Sequence, residues 1–534
     1  MNRRDFLKLS SVATGQLIVG GCATVRSSAH FPIEEATIPQ LQKAMTDGKA
    51  NAVSLTQAYQ QRVRRLDQSG PRLNAVIELN PDALEIARQL DAERKAKGPR
   101  GPLHGIPVLL KDNIDTHDRM MTTAGSLALL GSYPLQDSTV ARKLREAGAV
   151  ILGKTNLSEW ANFRGHRSTS GWSGRGGQTH NPYVLDRNPS GSSSGSSAAV
   201  SANLCAFAIG TETDGSIVSP SSHCGIVGLK PTVGLVSRAG IIPISQSQDT
   251  AGPMTRTVTD AAIVLGVLAS IDLLDPVTES GRGKTYRDYT QILDPNGLRG
   301  ARIGVGRRFF GANTRANKAF EAAIAAMKQA GAEVIDPADL PTHGKFGSAE
   351  QELMLYEFKA GLNTYFASLG PNAPVHSLQD VIDFNERNTD RELRFFGQEI
   401  LIAAQAKGPL TEKAYLDAVA TAKRLAGQEG IDAVMDEHQL DAIVAPTSGP
   451  AGMIDPVYGD RGEGGSSSPA AVAGYPDITV PAGEVFGLPV GVSFFGRAWS
   501  EPTLLKIAFA FEQQTKARRP PQFLPTLANP VAAG

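Results

Sequence analysis

Cysteine is scarce in this 534-residue chain. Only three cysteines are present, and no two of them have the C-x-x-C spacing of a structural zinc site. This excludes a disulfide-stapled scaffold for a chain of this length. Net charge is absent as well, because 53 Lys and Arg balance 53 Asp and Glu. Nothing in this charge balance calls for a nucleic-acid partner, and we expect none.

The remaining composition is that of a folded globular protein, with 41% hydrophobic and 20% charged residues. Short apolar runs at 105–110 and 149–152 are bounded by glycine or charged residues and predict buried strands. They alternate with helical patterns, including a helix predicted over 198–209, and this alternation predicts an α/β protein. The segment 160–197 is rich in Gly, Ser, Asn and Arg, and a loop of that length is usually functional.

The N-terminus has the pattern of an export signal. Residues 2–8, Asn-Arg-Arg-Asp-Phe-Leu-Lys, match a twin-arginine signal, and an uncharged stretch follows them. Residues 19–22, Val-Gly-Gly-Cys, resemble a lipobox in which Cys22 would be lipidated. We therefore expect residues 1–22 to be a signal peptide and 23–32 a tether. The mature protein would be periplasmic or a membrane-anchored lipoprotein, with membrane contact only through a lipid on Cys22.

Two familiar motifs occur in sequence contexts that do not suit them. Residues 148–155 satisfy the Walker A pattern, but their middle residues Ala-Val-Ile-Leu predict a strand instead of a phosphate-binding loop. Residues 191–195 satisfy the G-x-S-x-G pattern of a nucleophile elbow. That motif needs a hydrophobic strand before its serine, and the segment before this one is rich in turn residues. Neither match predicts a function.

Three blocks of the chain resemble the amidase signature. They are 190–200 (Ser-Gly-Ser-Ser-Ser-Gly-Ser-Ser-Ala-Ala-Val), 210–217 (Gly-Thr-Glu-Thr-Asp-Gly-Ser-Ile) and 225–232 (Gly-Ile-Val-Gly-Leu-Lys-Pro-Thr). The resemblance to the family extends to further segments at 103–107, 110–113, 153–159, 249–253 and 487–491. The resemblance implies the amidase signature fold, a mixed central β-sheet covered by helices on both faces. It implies one amidase domain over 33–525, with a signature core at about 100–260 and a more variable helical region at about 285–440.

The same resemblance implies a Ser-cisSer-Lys triad. Ser216 corresponds to the nucleophile, Ser192 to the bridging serine that follows a cis peptide bond, and Lys111 to the final base. A serine hydroxyl becomes a good nucleophile only when a base accepts its proton. Lys111 must be uncharged to accept that proton, and burial at the end of an apolar strand lowers a lysine pKa. No metal or organic cofactor is implied.

An oxyanion hole is expected in the turn before the nucleophile. Its candidate donors are the backbone N–H groups of Thr213, Asp214, Gly215 and Ser216. The chain departs from the family pattern at three positions nearby. Ser194 and Asp214 replace glycines that many members have, and Val218 stands where an arginine often follows Ser-Ile. These departures leave the triad intact and bear on local hydrogen bonding and substrate choice.

Several segments resemble the peptide amidases within this family, which release ammonia from a C-terminal carboxamide. These segments are 156–165, 170–173, 355–361 and 395–399. Trp160, Phe163 and Trp172 are candidates for apolar walls of a substrate pocket. We expect a monomer that hydrolyses a peptide amide or another carboxamide to acid and ammonia.

Three other functions are alternatives. A broad aliphatic or aryl amidase shares the chemistry, and the glutamyl-tRNA amidotransferase subunit shares the core. The export signal and zero net charge argue against a cytosolic tRNA complex. From a different class, an exported solute-binding lipoprotein would leave the predicted triad without a role.

Overall fold

The structure is a computed structural model, and it describes residues 31–461 and 464–527. The predicted export signal, the lipobox with Cys22 and most of the tether lie outside these residues, so export and lipidation stay predictions. No helix within the described ranges combines the length and the hydropathy needed to cross a bilayer.

Eleven of the thirteen strands in the described part of the chain form one sheet, and β4 and β5 form a separate hairpin. The strands are β1 (Val76–Leu79), β2 (Pro107–Lys111), β3 (Val150–Thr155), β4 (Trp172–Ser173), β5 (Gly177–Gln178), β6 (Phe207–Glu212), β7 (Val227–Lys230), β8 (Thr250–Thr255), β9 (Arg302–Val305), β10 (Glu333–Ile335), β11 (Ala442–Pro446), β12 (Asp477–Val485) and β13 (Leu488–Phe495).

The described part of the chain also contains sixteen α-helices. The α-helices are α1 (Ile38–Thr46), α2 (Ala52–Arg62), α3 (Ala83–Lys97), α4 (Thr139–Glu146), α5 (Ser194–Ser201), α6 (Val218–His223), α7 (Val258–Leu268), α8 (Thr314–Gln329), α9 (Gly347–Ser368), α10 (Leu378–Arg387), α11 (Thr389–Glu392), α12 (Glu399–Gln405), α13 (Lys413–Lys423), α14 (Ala433–His438), α15 (Ser467–Ala473) and α16 (Glu501–Thr515). Wider π turns are at Val63–Asp67 and Arg424–Asp432, and short 3₁₀ turns at Leu127–Leu129, Glu159–Asn162, Pro276–Gly281, Tyr289–Ile292 and Arg307–Phe309.

The large sheet is mixed, in the order β1-β3-β2-β6-β8-β7-β12-β13-β11-β9-β10. β2 lies between β3 and β6 and runs parallel to both, whereas β6, β8, β7 and β12 pair antiparallel in turn. All residues of β2, β3 and β6 are buried, as expected for strands covered on both faces. The prediction of a mixed central sheet with packed helices is confirmed.

The parallel run of β2 and β6 determines where the functional residues meet. Leu110 on β2 pairs with Ile209 on β6, so the carboxyl ends of the two strands lie side by side. Lys111 is the last residue of β2, and Thr211 is next to last in β6. In open α/β sheets this edge is the usual place for a ligand site.

One predicted helix is wrong in its extent. The helix expected over 198–209 is α5, which begins at Ser194 and ends at Ser201, and strand β6 begins at Phe207. Asn203 between them adopts a positive φ of 58°, a conformation that does not continue a right-handed helix. The run of small residues in this segment therefore spans a helix, a turn and the start of a strand.

Candidate active site

Lys111 is completely buried at the carboxyl end of β2. Its Nζ lies 2.7 Å from Ser192 Oγ and 2.8 Å from Thr211 Oγ1. A third contact of 3.2 Å joins Nζ to the Thr211 carbonyl oxygen. The neighbouring carboxyl ends of β2 and β6 therefore hold the amine between one serine and both oxygens of one threonine.

Burial lowers the pKa of Lys111 to about 7. The charged form loses its hydration inside the protein, and the carboxylates of Asp249 and Glu212 offset only part of that loss. A lysine with a pKa near neutrality is uncharged in a large fraction of molecules at physiological pH. Such an amine has a free lone pair and is able to accept a proton.

Ser192 and Ser216 lie on two segments that are joined through their backbones. The Gly191–Ser192 peptide bond is cis. The Ser193 N–H donates to the Ser216 carbonyl oxygen at 3.2 Å, and the Ser158 N–H donates to the Ser192 carbonyl oxygen at 3.1 Å. The Ser216 side chain forms no hydrogen bond to another described residue, and Ser216 is 7% exposed. The Ser216 hydroxyl therefore has no hydrogen-bond partner among the described residues, and its backbone lies beside the Ser192 segment.

The turn before Ser216 contains consecutive backbone N–H groups that have no acceptor among the described residues. The N–H groups of Asp214, Gly215 and Ser216 donate to no other residue in the described part of the chain. By contrast, the N–H groups of Ile217 and Val218 both donate to Glu212 Oε2, at 2.6 and 3.0 Å. Gly215 has a φ of 77°, and a Cβ there would lie 3.0 Å from Ser467 Oγ. The positive φ therefore favours glycine at this position, and the close packing leaves little room for a side chain.

Asp214 has partners that sequence reasoning missed. Its carboxylate accepts hydrogen bonds from Ser467 Oγ at 2.5 Å and Ser468 Oγ at 2.6 Å, both at the start of α15. Burial and the neighbouring Asp214 carboxylate raise the pKa of Glu350 on α9. Gln248 Nε2 donates to Glu350 Oε1 and to the Thr213 carbonyl oxygen. Segments far apart in sequence thus hold the turn in place.

The other two departures from the family pattern are accommodated locally. Ser194 begins α5, and its Oγ donates to the Ser190 carbonyl oxygen at 2.6 Å. Val218 begins α6 and is fully buried. An aliphatic side chain therefore fills the position where many relatives have a cation.

A cavity of about 490 Å³ lies near this group of residues, although Lys111, Ser192 and Ser216 are not among the residues that line it. Asn113, Thr211 and Thr213 line the end next to Lys111, and the helix α9 lines another wall through Ala360 and Tyr365. The segment after β7 also lines the cavity, through the apolar side chains of Ile241, Ile242 and Ile244. Its volume is within the 300–1,000 Å³ typical of small-molecule sites.

The three aromatic candidates for the pocket wall do not line this cavity in the described structure. Trp160 is 1% exposed and packs edge-on against Phe366, and Phe163 packs against Phe358. Trp172 packs against Phe396. All three rings pack between the long 160–197 segment and the helical region, and a role of Trp160, Phe163 and Trp172 in substrate binding stays a prediction.

A buried ionic cluster fixes that segment. Arg164 Nη1 donates to Glu159 Oε1 at 2.7 Å and lies 3.5 Å from Glu392 Oε2, with all three side chains fully buried. Its guanidinium also lies over the Phe396 ring, 3.9 Å from the centroid. Burial and the Glu159 carboxylate raise the pKa of Glu392. One cation therefore joins the carboxylate of Glu159, 5 residues before it, to that of Glu392, 228 residues after it.

We expect Arg164→Met to destabilise the fold by about 3–5 kcal/mol, because it leaves two buried carboxylates facing each other without a cation. The melting temperature and a urea titration measure the effect. Arg167→Met is the matched control, since Arg167 is exposed on the same segment. Equal stability of the two variants would contradict the role assigned to Arg164.

Comparison with known proteins gives one consistent result. The family model described as "Amidase" matches residues 54–505. The chain belongs to the amidase signature family. The resemblance and the amidase signature fold expected from the sequence are thereby confirmed, and the chain is an amide C–N hydrolase. The solute-binding lipoprotein alternative has no support.

Three relatives illustrate the range of this family. The native peptide amidase from Stenotrophomonas maltophilia is 56% identical, with a TM-score of 0.89 over 92% of this chain and 99% of that one. A probable amidase of Arabidopsis thaliana is 43% identical over 95% of both chains. A glutamyl-tRNA(Gln) amidotransferase subunit of Thermoanaerobacter pseudethanolicus is 33% identical, over 91% of this chain and 98% of its own.

Proposed function

We propose that this amidase hydrolyses the C-terminal carboxamide of peptides through Ser216, Ser192 and Lys111. The observation that carries the chemistry is the 2.7 Å contact between Lys111 Nζ and Ser192 Oγ. The choice of peptide substrate is supported by 56% identity to a peptide amidase over 92% of the chain.

The first half of the reaction forms an acyl-enzyme. Neutral Lys111 accepts the proton of Ser192, which in turn accepts the proton of Ser216 as its oxygen attacks the carboxamide carbon. The new oxyanion is stabilised by the backbone N–H groups of residues 214–216, which have no competing acceptors among the described residues. Ser192 then returns a proton to the nitrogen. The C–N bond breaks, ammonia leaves, and an ester on Ser216 remains.

The second half repeats these transfers with water. Water attacks the ester carbon while its proton passes to Ser192 and on to Lys111. The Ser216 oxygen is the leaving group and recovers a proton through the same relay. The net change is one amide and one water converted to one carboxylic acid and one ammonia.

The decisive assay compares a dipeptide amide with the corresponding free acid and with benzamide, and measures released ammonia. We expect ammonia from the peptide amide only. Release from benzamide but not from the peptide amide would favour a broad aryl or aliphatic amidase. Absence of ammonia from every amide would refute the proposal.

The pH dependence is a separate test of the base. Protonated Lys111 has no lone pair, so kcat/KM should fall about tenfold per pH unit below the Lys111 pKa of about 7 and level off above it. The measurement is kcat/KM for the peptide amide between pH 5 and pH 9. A flat profile across neutrality would contradict Lys111 as the base.

A further inference from the structure

Asn113 lines the cavity and carries a buried side-chain acceptor. Its Nδ2 donates to Thr211 Oγ1 at 3.0 Å, whereas its Oδ1 has no hydrogen-bond partner in the described structure. The residue is only 2% exposed and still lines the cavity. A buried side-chain acceptor without a partner among the described residues therefore belongs to a residue of the cavity wall.

The position of this acceptor is fixed from two sides. The Asn113 carbonyl oxygen accepts the N–H of Ile242 at 2.9 Å, which holds the backbone. Thr211 Oγ1, which receives the side-chain amide, also receives the Lys111 amine at 2.8 Å. One threonine hydroxyl therefore links Asn113 to the base, and the free carboxamide oxygen lies next to the proposed relay.

We propose that Asn113 Oδ1 accepts a hydrogen bond from the N–H of the scissile carboxamide and so makes the site selective for amides over esters. This inference rests on the function proposed above. A buried acceptor without a partner is unfavourable, and a substrate N–H removes that penalty. An ester places an oxygen without hydrogen at the same point and leaves the acceptor unpaired. Sites built around a substrate N–H discriminate against analogues that lack one.

The test uses one N-acylated dipeptide as its amide and as its methyl ester, and measures kcat/KM for both. We expect Asn113→Leu to lower the amide-to-ester ratio about tenfold, because only the amide loses a hydrogen bond. Asn113→Ala serves as a second variant in case leucine does not fit. Asn113→Asp keeps an acceptor and loses the donor to Thr211, so we expect its ratio to stay within about threefold of wild type.

Thr211→Val separates selectivity from support of the base. It removes the hydroxyl that contacts both Lys111 and Asn113, and we expect it to lower both rates while changing the ratio less than Asn113→Leu does. If Asn113→Leu lowers kcat/KM equally for the amide and the ester, or for neither, the role of Asn113 is overturned. The function proposed above is not affected by that result. Wild-type protein that hydrolyses neither compound would overturn the proposed function as well.

Discussion

Ser216→Ala should lower kcat for the peptide amide by about 10⁴–10⁶-fold. The substitution removes the only oxygen of the proposed triad that bonds to substrate carbon. The fold should be unaffected, because the Ser216 hydroxyl makes no hydrogen bond to another described residue and the side chain is small. The backbone hydrogen bond from Ser193 to the Ser216 carbonyl does not depend on the side chain.

The measurement is ammonia release in single and multiple turnover, with circular dichroism and melting temperature as checks on folding. Ser201→Ala is the matched control, because Ser201 is fully buried at the end of α5 and lies outside the proposed chemistry. We expect that control to retain wild-type turnover. Residual activity of Ser216→Ala within tenfold of wild type would contradict the assignment of Ser216 as the nucleophile.

Lys111→Met should lower kcat by at least about 10³-fold while raising the stability of the fold at neutral pH. The activity is lost because Ser192 has no base to accept its proton. Stability should rise because the native state holds the Lys111 pKa at about 7, below the value of 10.5 in an unfolded chain. Below pH 7 the lowered pKa of Lys111 reduces the free energy of unfolding by its full amount. This reduction disappears as the pH approaches 10.5. The stabilisation by methionine should therefore shrink over that interval.

Lys154→Met is the contrasting variant. Lys154 is also a fully buried lysine, on the adjacent strand β3, and its Nζ donates to the Ile114 carbonyl and to Thr122 Oγ1. The Asp112 and Asp115 carboxylates lie near it. Its loss should lower the melting temperature and leave turnover per folded molecule within about tenfold of wild type. A Lys111→Met protein that keeps its activity, or the same response from both lysines, would contradict the assignment.

The sequence was sufficient to predict the burial of a residue when the local strand pattern alone determines that burial. Lys111 ends an apolar run, so its burial followed from local pattern alone, and the signature blocks pointed to Ser192 and Ser216. Their joint catalytic role stays a prediction until the variants are measured. The contact of 2.7 Å between Lys111 and Ser192 is a property of the folded chain.

The partners of these residues could not be predicted, because they depend on which strands become neighbours. Asn113 meets Thr211 across 98 residues, and Asp214 meets Ser467 across 253. The packing of the aromatic residues could not be predicted for a related reason. Trp160 in a polar segment suggests a binding surface, but the distant helix α9 covers it through Phe366.

The strand order also constrains how the chain can be made. β7 pairs on one side with β12, and Lys230 lies opposite Asp477. At 5–20 residues per second, a ribosome takes about 12–50 s to synthesise the intervening segment. During that time the outer edge of β7 has exposed hydrogen-bonding groups in a nascent chain, a state prone to aggregation. The N-terminal half therefore cannot complete its sheet alone, and chaperones that hold incomplete chains are expected to matter for the yield of this enzyme.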